Sequence, residues 1–183
     1  MQQIETEIAE VKILVPRRHA DHRGFFSETY SRSVVRELGI DVEFVQDNHS
    51  LSVEKGVLRG LHYQIAPMAQ AKLVRVVRGA ILDIAVDIRR SSTTFGRHVS
   101  AVLSAENWRQ IYIPIGFAHG FVTLEPNTEV VYKVTCCYSP QHERGIRWND
   151  PALGINWQID ADRAILSQRD GQHPMLAEAS DLF

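Results

Sequence analysis

The stretch AILDIAVDI (80–88) alternates without a break: Leu82, Ile84, Val86 and Ile88 share one face, and Asp83 and Asp87 point the other way. A period of two marks a half-buried β-strand. Comparable short runs occur on both sides of it, at VEFVQ (42–46), LVRVV (73–77), HVSAVL (98–103), QIYIP (110–114), GFVTL (120–124) and EVVYKVTCCY (129–138). Breakers separate them, among them Glu54-Lys55-Gly56, Gly79, Ser91-Ser92 and Glu125-Pro126-Asn127. Many short strands at such spacing predict an all-β sandwich or barrel. One helix is expected over 31–39, where Val34, Val35 and Leu38 form a stripe and Gly39 suits the C-terminal cap. A short helical turn is expected near Ala161–Ile165, and beyond Trp157 irregular structure over the sheet edges.

The 183 residues suit a single domain, 1–183, with no linker or repeat. The net charge of −2 offers no excess of basic residues for nucleic acid or an anionic membrane. No apolar run approaches the ~20 residues of a membrane span, and the N-terminus lacks a secretory pattern. The only cysteines, Cys136 and Cys137, are adjacent and have neither disulfide nor zinc spacing, so a reduced cytoplasmic protein is expected.

Eight histidines offer proton transfer or metal ligation. Two lie in concentrated patches, His62 in LRGLHYQ (58–64) and His119 in PIGFAHGF (114–121). These patches resemble the two motifs of the cupin superfamily, which implies a jelly-roll barrel with a few short peripheral helices. Metal-binding cupins typically supply two His and a Glu from the first motif and one His from the second; here Gln64 stands two after His62 and no Glu follows within the next seven residues, so too few protein ligands remain for a transition metal. No metal is expected, and His62 is left free to move protons. Strict alternation would place Arg59 opposite His62, a conflict that a bulge at Gly60 removes.

The ordered series DHRGFFSE (21–28), QDNHS (46–50), VLRGLHYQ (57–64), AKLVRVVRGAILDIAVD (71–87), PIGFAHGF (114–121), VVYKVTCCYSP (130–140), ERGIRWNDP (143–151) and LSQRD (166–170) covers nearly the whole chain. It resembles the dTDP-4-dehydrorhamnose 3,5-epimerase family. The resemblance implies inversion of two carbons flanking a ketone on a nucleotide-linked sugar, without a cofactor. Such chemistry needs a base, an acid on the opposite face and a cation near the developing enolate oxygen. By resemblance His62 is the base, Asp170 its carboxylate partner, Tyr132 the acid and Lys72 the cation. Lys72 shares a face with Val74 and Val76, which itself favours an inward direction.

The resemblance also implies substrate contacts for Arg23, Phe26, Glu28, Gln46, Asn48, Arg59, His119, Tyr138, Glu143 and Arg169. Tyr138 would stack on the thymine. On an unbroken strand, Tyr132 and Tyr138 would lie on one face about 20 Å apart, roughly the reach of a nucleoside diphosphate sugar. A homodimer is implied, its N-terminal segments carrying Arg23 and Glu28 exchanged between sites. Small departures are Arg169 where Lys is usual, Gln158 where Pro is common, and the two cysteines. Tyr132 favours double inversion. Other readings are a single-carbon epimerase or ketoisomerase, a non-catalytic nucleotide-sugar-binding cupin and a metal-dependent cupin oxygenase. His49 and the remaining histidines read as structural.

Overall fold

The computed structural model describes residues 1–183. Thirteen strands run in chain order: β1 (Gln2–Ile4), β2 (Lys12–Val15), β3 (His19–Asp21), β4 (Gly24–Phe26), β5 (Gln46–Ser52), β6 (Leu58–Gln64), β7 (Lys72–Arg78), β8 (Ala80–Asp87), β9 (His98–Ser104), β10 (Gln110–Ile113), β11 (Phe117–Thr123), β12 (Thr128–Val134) and β13 (Glu143–Gly145). A six-stranded sheet is ordered β1-β2-β10-β7-β12-β5, and a five-stranded sheet β13-β6-β11-β8-β9. The strands within each sheet pair antiparallel. β3 and β4 form a separate hairpin. The all-β jelly-roll expectation is met. No helix is long and apolar enough to cross a membrane.

Three apolar clusters hold these layers. The central one lies between the sheets and joins Val74, Val76, Ile111 and Val130 to Ile81, Val99, Phe117 and Phe121. A second covers the outer face of the five-stranded sheet, where Leu58, Leu61, Leu82, Ile84 and Val86 meet Trp148, Leu153, Trp157 and Leu176. Thus the tail beyond Trp157 packs over a sheet face, not only over edges as expected. Trp157 fixes it by donating its indole N–H to the Trp148 carbonyl at 2.8 Å. The third cluster seats α1 (Arg32–Glu37) on the six-stranded sheet through Val35, with Ile40, Leu73 and Tyr112. Gly39 ends that helix at φ 78°, as the sequence predicts.

Because both faces of β8 are covered, every residue of the strand is buried. The apolar stripe Leu82, Ile84 and Val86 packs outward beneath the tail, while Ile81, Asp83 and Ala85 face the interior. The polar face of the deciding stretch is therefore turned into the barrel, not toward water.

Two strand expectations need correction. Residues 42–45 are not strand; Val42 and Phe44 pack against the α1 cluster, and β5 begins at Gln46. The run 129–138 is not one strand either, because β12 stops at Val134. Side-chain amides then capture the turning backbone: Gln70 donates to the Cys136 carbonyl, Gln64 to the Cys137 carbonyl, and the Tyr138 N–H donates to Gln46. Such bonds satisfy carbonyls and amides that the sheet no longer pairs.

Candidate active site

The site begins with one extra residue in β6. On β11, His119 and Phe121 are two apart, yet their partners on β6, His62 and Arg59, are three apart. That bulge, at the expected place, turns Arg59 and His62 to the same inner face, while Leu58 and Leu61 stay in the outer cluster. Gly60 allows it: a Cβ there would lie 2.5 Å from the Gly120 Cα and 2.8 Å from the His119 carbonyl oxygen. No side chain fits in that gap.

Arg59, His62, Lys72, His119, Tyr132, Glu143, Arg169 and Asp170 line one cavity of about 320 Å³ between the sheets. An adjoining cavity of about 350 Å³ shares His62, Lys72, Tyr132 and Glu143 and adds Gln46, Asn48 and Tyr138. Together they form a two-lobed cleft. His62 comes from the five-stranded sheet, whereas Lys72 and Tyr132 come from the six-stranded sheet opposite.

His62 Nε2 lies 2.5 Å from Asp170 Oδ1. Asp170 Oδ2 accepts a 2.8 Å hydrogen bond from the Ser167 hydroxyl, whose oxygen accepts in turn from the Asp170 N–H at 3.1 Å. Burial pushes the Asp170 carboxyl up, but His173, His62 and Ser167 outweigh it and hold the group well below the usual carboxylate range. It is therefore an anion, and it fixes the imidazole by accepting its Nε2–H. Nδ1 is then the basic nitrogen.

His119 is buried, with Nε2 2.9 Å from Asp83 Oδ2. Burial lowers its pKa, opposed by the Asp83 charge. His62 and His119 are direct cross-strand partners, but each is engaged with its own carboxylate. Two residues after His62, Gln64 serves structure, donating to Met68 O and Cys137 O and accepting the Ser139 N–H.

On the facing sheet, burial pushes the Tyr132 phenol up, with the Arg59 charge opposing. Burial also lowers the Lys72 ammonium to about 8, although Asp83 and Glu143 favour its charge. In the second lobe Tyr138 donates its hydroxyl to Glu143 Oε2 at 2.6 Å, and Arg169 pairs with the same oxygen at 2.5 Å. Burial alone would raise the Glu143 pKa; its bonds to Tyr138 and Arg169 lower it. Tyr138 reaches the cleft beyond the end of β12, so its distance from Tyr132 is not that of six residues on a straight strand.

Comparisons with known proteins place this geometry. The family model described as dTDP-4-dehydrorhamnose 3,5-epimerase matches residues 5–178. The chain belongs to this epimerase family. It is 52% identical to the epimerase of Pseudomonas aeruginosa over 173 residues, 94% of either chain. It also superposes on the epimerase of Bacillus anthracis, solved with TDP and pyrophosphate, at a TM-score of 0.92 and 48% identity, covering 95% of this chain and 98% of that one. A third likeness is the epimerase of Legionella pneumophila in complex with dTDP-4-keto-L-rhamnose, at 0.93 and 46%, covering 98% and 94%.

For this member of the epimerase family, eleven of the fourteen site residues expected from sequence gather at the cleft: His62, Asp170, Tyr132, Lys72, Gln46, Asn48, Arg59, His119, Tyr138, Glu143 and Arg169. Arg23, Phe26 and Glu28 do not line it within one chain. Arg23 sits at the tip of the β3–β4 hairpin, 79% exposed and paired with Asp21; Phe26 is 71% exposed, and Glu28 is exposed as well. Asp83, Ser50, Ser167 and His173 are site residues that sequence reasoning missed. The hydroxyl of Ser50 lines the cavity without a hydrogen-bond partner, and Oδ1 of the buried Asp83 that holds His119 has none either.

The lowered Lys72 pKa means that its charge is complete below about pH 8 and lost above it. With selective 13Cε-lysine labelling, the Lys72 resonance should titrate near pH 8 and not near about 10.4, the value of a solvated lysine. A midpoint above 10 would contradict its buried setting.

Proposed function

We propose that the chain epimerises carbons 3 and 5 of dTDP-4-dehydro-6-deoxy-D-glucose, giving dTDP-4-dehydro-L-rhamnose for dTDP-L-rhamnose synthesis. One observation carries this reading: a histidine–carboxylate pair on one sheet faces a tyrosine and a lysine on the other across a shared cavity. His62 Nδ1 takes the proton beside the ketone, and Asp170 stabilises the imidazolium that forms. The Lys72 ammonium stabilises the enolate oxygen where charge develops. Tyr132 gives a proton to the opposite face, which inverts the carbon. Both inversions run on side-chain acids and bases, so no electron carrier enters.

The remaining residues suit the nucleotide. Arg59 makes only long contacts, 3.4 Å to Ser52 Oγ and to Leu51 O, leaving its guanidinium available to the diphosphate, with Arg169 nearby. Tyr138 offers an aromatic face to the thymine, with Gln46, Asn48 and Glu143 around it. His119 lies near the reacting sugar, held by Asp83.

A homodimer completes this picture. Phe25 and Phe26 are 58% and 71% exposed on a hairpin paired with neither large sheet. Large exposed aromatics of this kind mark a surface covered by a partner. The exchanged segment would bring Arg23, Phe26 and Glu28 to the partner's cleft.

In deuterated water the wild type should incorporate deuterium at both sugar carbons during turnover. His62→Ala should lower kcat by about 10²- to 10⁴-fold and abolish incorporation; retained exchange in that variant would remove His62 as the base. Light scattering should give a mass about twice 20.8 kDa, and Phe25→Ser/Phe26→Ser should shift it toward the monomer. A monomeric wild type would sink the exchanged-segment assignment.

A further inference from the structure

His173 takes no part in the chemistry proposed above, yet it is among the most constrained side chains near it. It follows the short turn that begins at Asp170 and is buried, with only 10% of its side chain exposed. Its ring packs edge-on against His62 at 5.5 Å between centroids. Gly145, the β13 partner of His62, leaves the space: a Cβ there would lie 2.4 Å from the His173 ring. Despite this enclosure, His173 Nε2 has no hydrogen-bond partner. It is aimed at Asp170 Oδ1 from 3.7 Å, beyond hydrogen-bond length. A buried, unpartnered imidazole nitrogen pointing at a carboxylate needs a reason.

The nitrogens of His62 and His173 converge on one oxygen. The ligand atoms of His62, Asp170 and His173 all lie within 4.8 Å of one another. Two imidazoles and a carboxylate are a donor set that suits zinc. Ligands about 2.0–2.1 Å from a tetrahedral zinc lie about 3.3 Å apart. The two separations from Asp170 Oδ1, 2.5 Å to His62 and 3.7 Å to His173, straddle that spacing. His62 is 28% exposed on the cleft side, so a small rotation toward the cavity opens the shorter one. The other oxygen of Asp170 is held by Ser167, which keeps Oδ1 toward the two rings. Ser167 and Arg169 border both the cleft and a polar trough of about 860 Å³ lined by His173.

We propose that His62, Asp170 and His173 form a site for one zinc-like divalent cation, and that its occupancy silences the base. This expectation differs from the cupin metal position, where Gln64 has replaced a ligand. The silencing rests on the function proposed above; the binding does not. In the metal-free pair, Nε2 of His62 carries the proton given to Asp170, and Nδ1 carries the lone pair. A cation on Nε2 takes the place of that proton, which moves to Nδ1. The imidazole stays neutral and loses the lone pair that faces the substrate. No bond to the sugar is involved.

The test uses the full-length protein. Titrated with Co²⁺, the wild type should develop the intense visible bands of tetrahedral cobalt at one equivalent per chain. Histidine side-chain 15N spectra recorded with Zn²⁺ should shift the Nε2 resonances of both His62 and His173. Zn²⁺ should suppress turnover of the dTDP-sugar at least about tenfold, with recovery on adding a chelator. In His173→Gln the cation affinity read from the Co²⁺ titration should fall at least about tenfold, the loss that even a residue behind a ligand produces. Failure of the wild type to bind Co²⁺ tetrahedrally, or zinc shifts that spare His173, would overturn the site whatever the variant does. Undiminished Co²⁺ affinity in His173→Gln would overturn it too. Tetrahedral binding with unchanged turnover would overturn the silencing alone.

Discussion

One extra residue in β6 governs the rest of the site. Without the bulge at Gly60, alternation would put Arg59 and His62 on opposite faces, one in the cleft and the other in the outer apolar cluster. The close approach of the Gly60 and Gly120 backbones makes the bulge possible, because neither strand could carry a Cβ there. From that constraint follow the convergence of a cation and a base on one cavity and the cross-strand setting of His62 and His119. The outward anchoring of Leu58 and Leu61 follows too.

The second organising element is the division of labour between the sheets. The five-stranded sheet, with the tail folded over its outer face, holds the histidines and their carboxylates. The six-stranded sheet brings Lys72 and Tyr132. Burial raises the Tyr132 pKa and lowers that of Lys72, keeping the phenol protonated while leaving the ammonium charged near neutral pH. Asp170 stays ionised despite burial because its neighbours compensate the lost solvation. A proton acceptor and a proton donor are thus held on facing walls by elements that share one apolar core.

Much of this was legible in the chain. Period-two runs mark β7 to β12 as strands, and the parity conflict between Arg59 and His62 locates the bulge in β6. Inward placement of Lys72 followed from Val74 and Val76. Other features were hidden for physical reasons. Asp83 sits on the polar side of an alternating strand, and alternation cannot tell water from a polar interior. The path of Tyr138 depends on Gln46, Gln64 and Gln70 capturing backbone that still looks like strand. His173 lies in a tail without periodicity, so its approach to His62 is set by Gly145 and the tertiary fold.

The central claim is that the base and the acid act from opposite walls. Turnover of Tyr132→Phe in deuterated water, with exchange and product configuration followed together by NMR, tests it most directly. Here His62 can still remove and return a proton on its own face, so deuterium should enter at the sugar carbons while inversion falls by about 10²-fold or more. Inversion at the wild-type rate, or exchange and inversion lost together, would contradict the two-wall account.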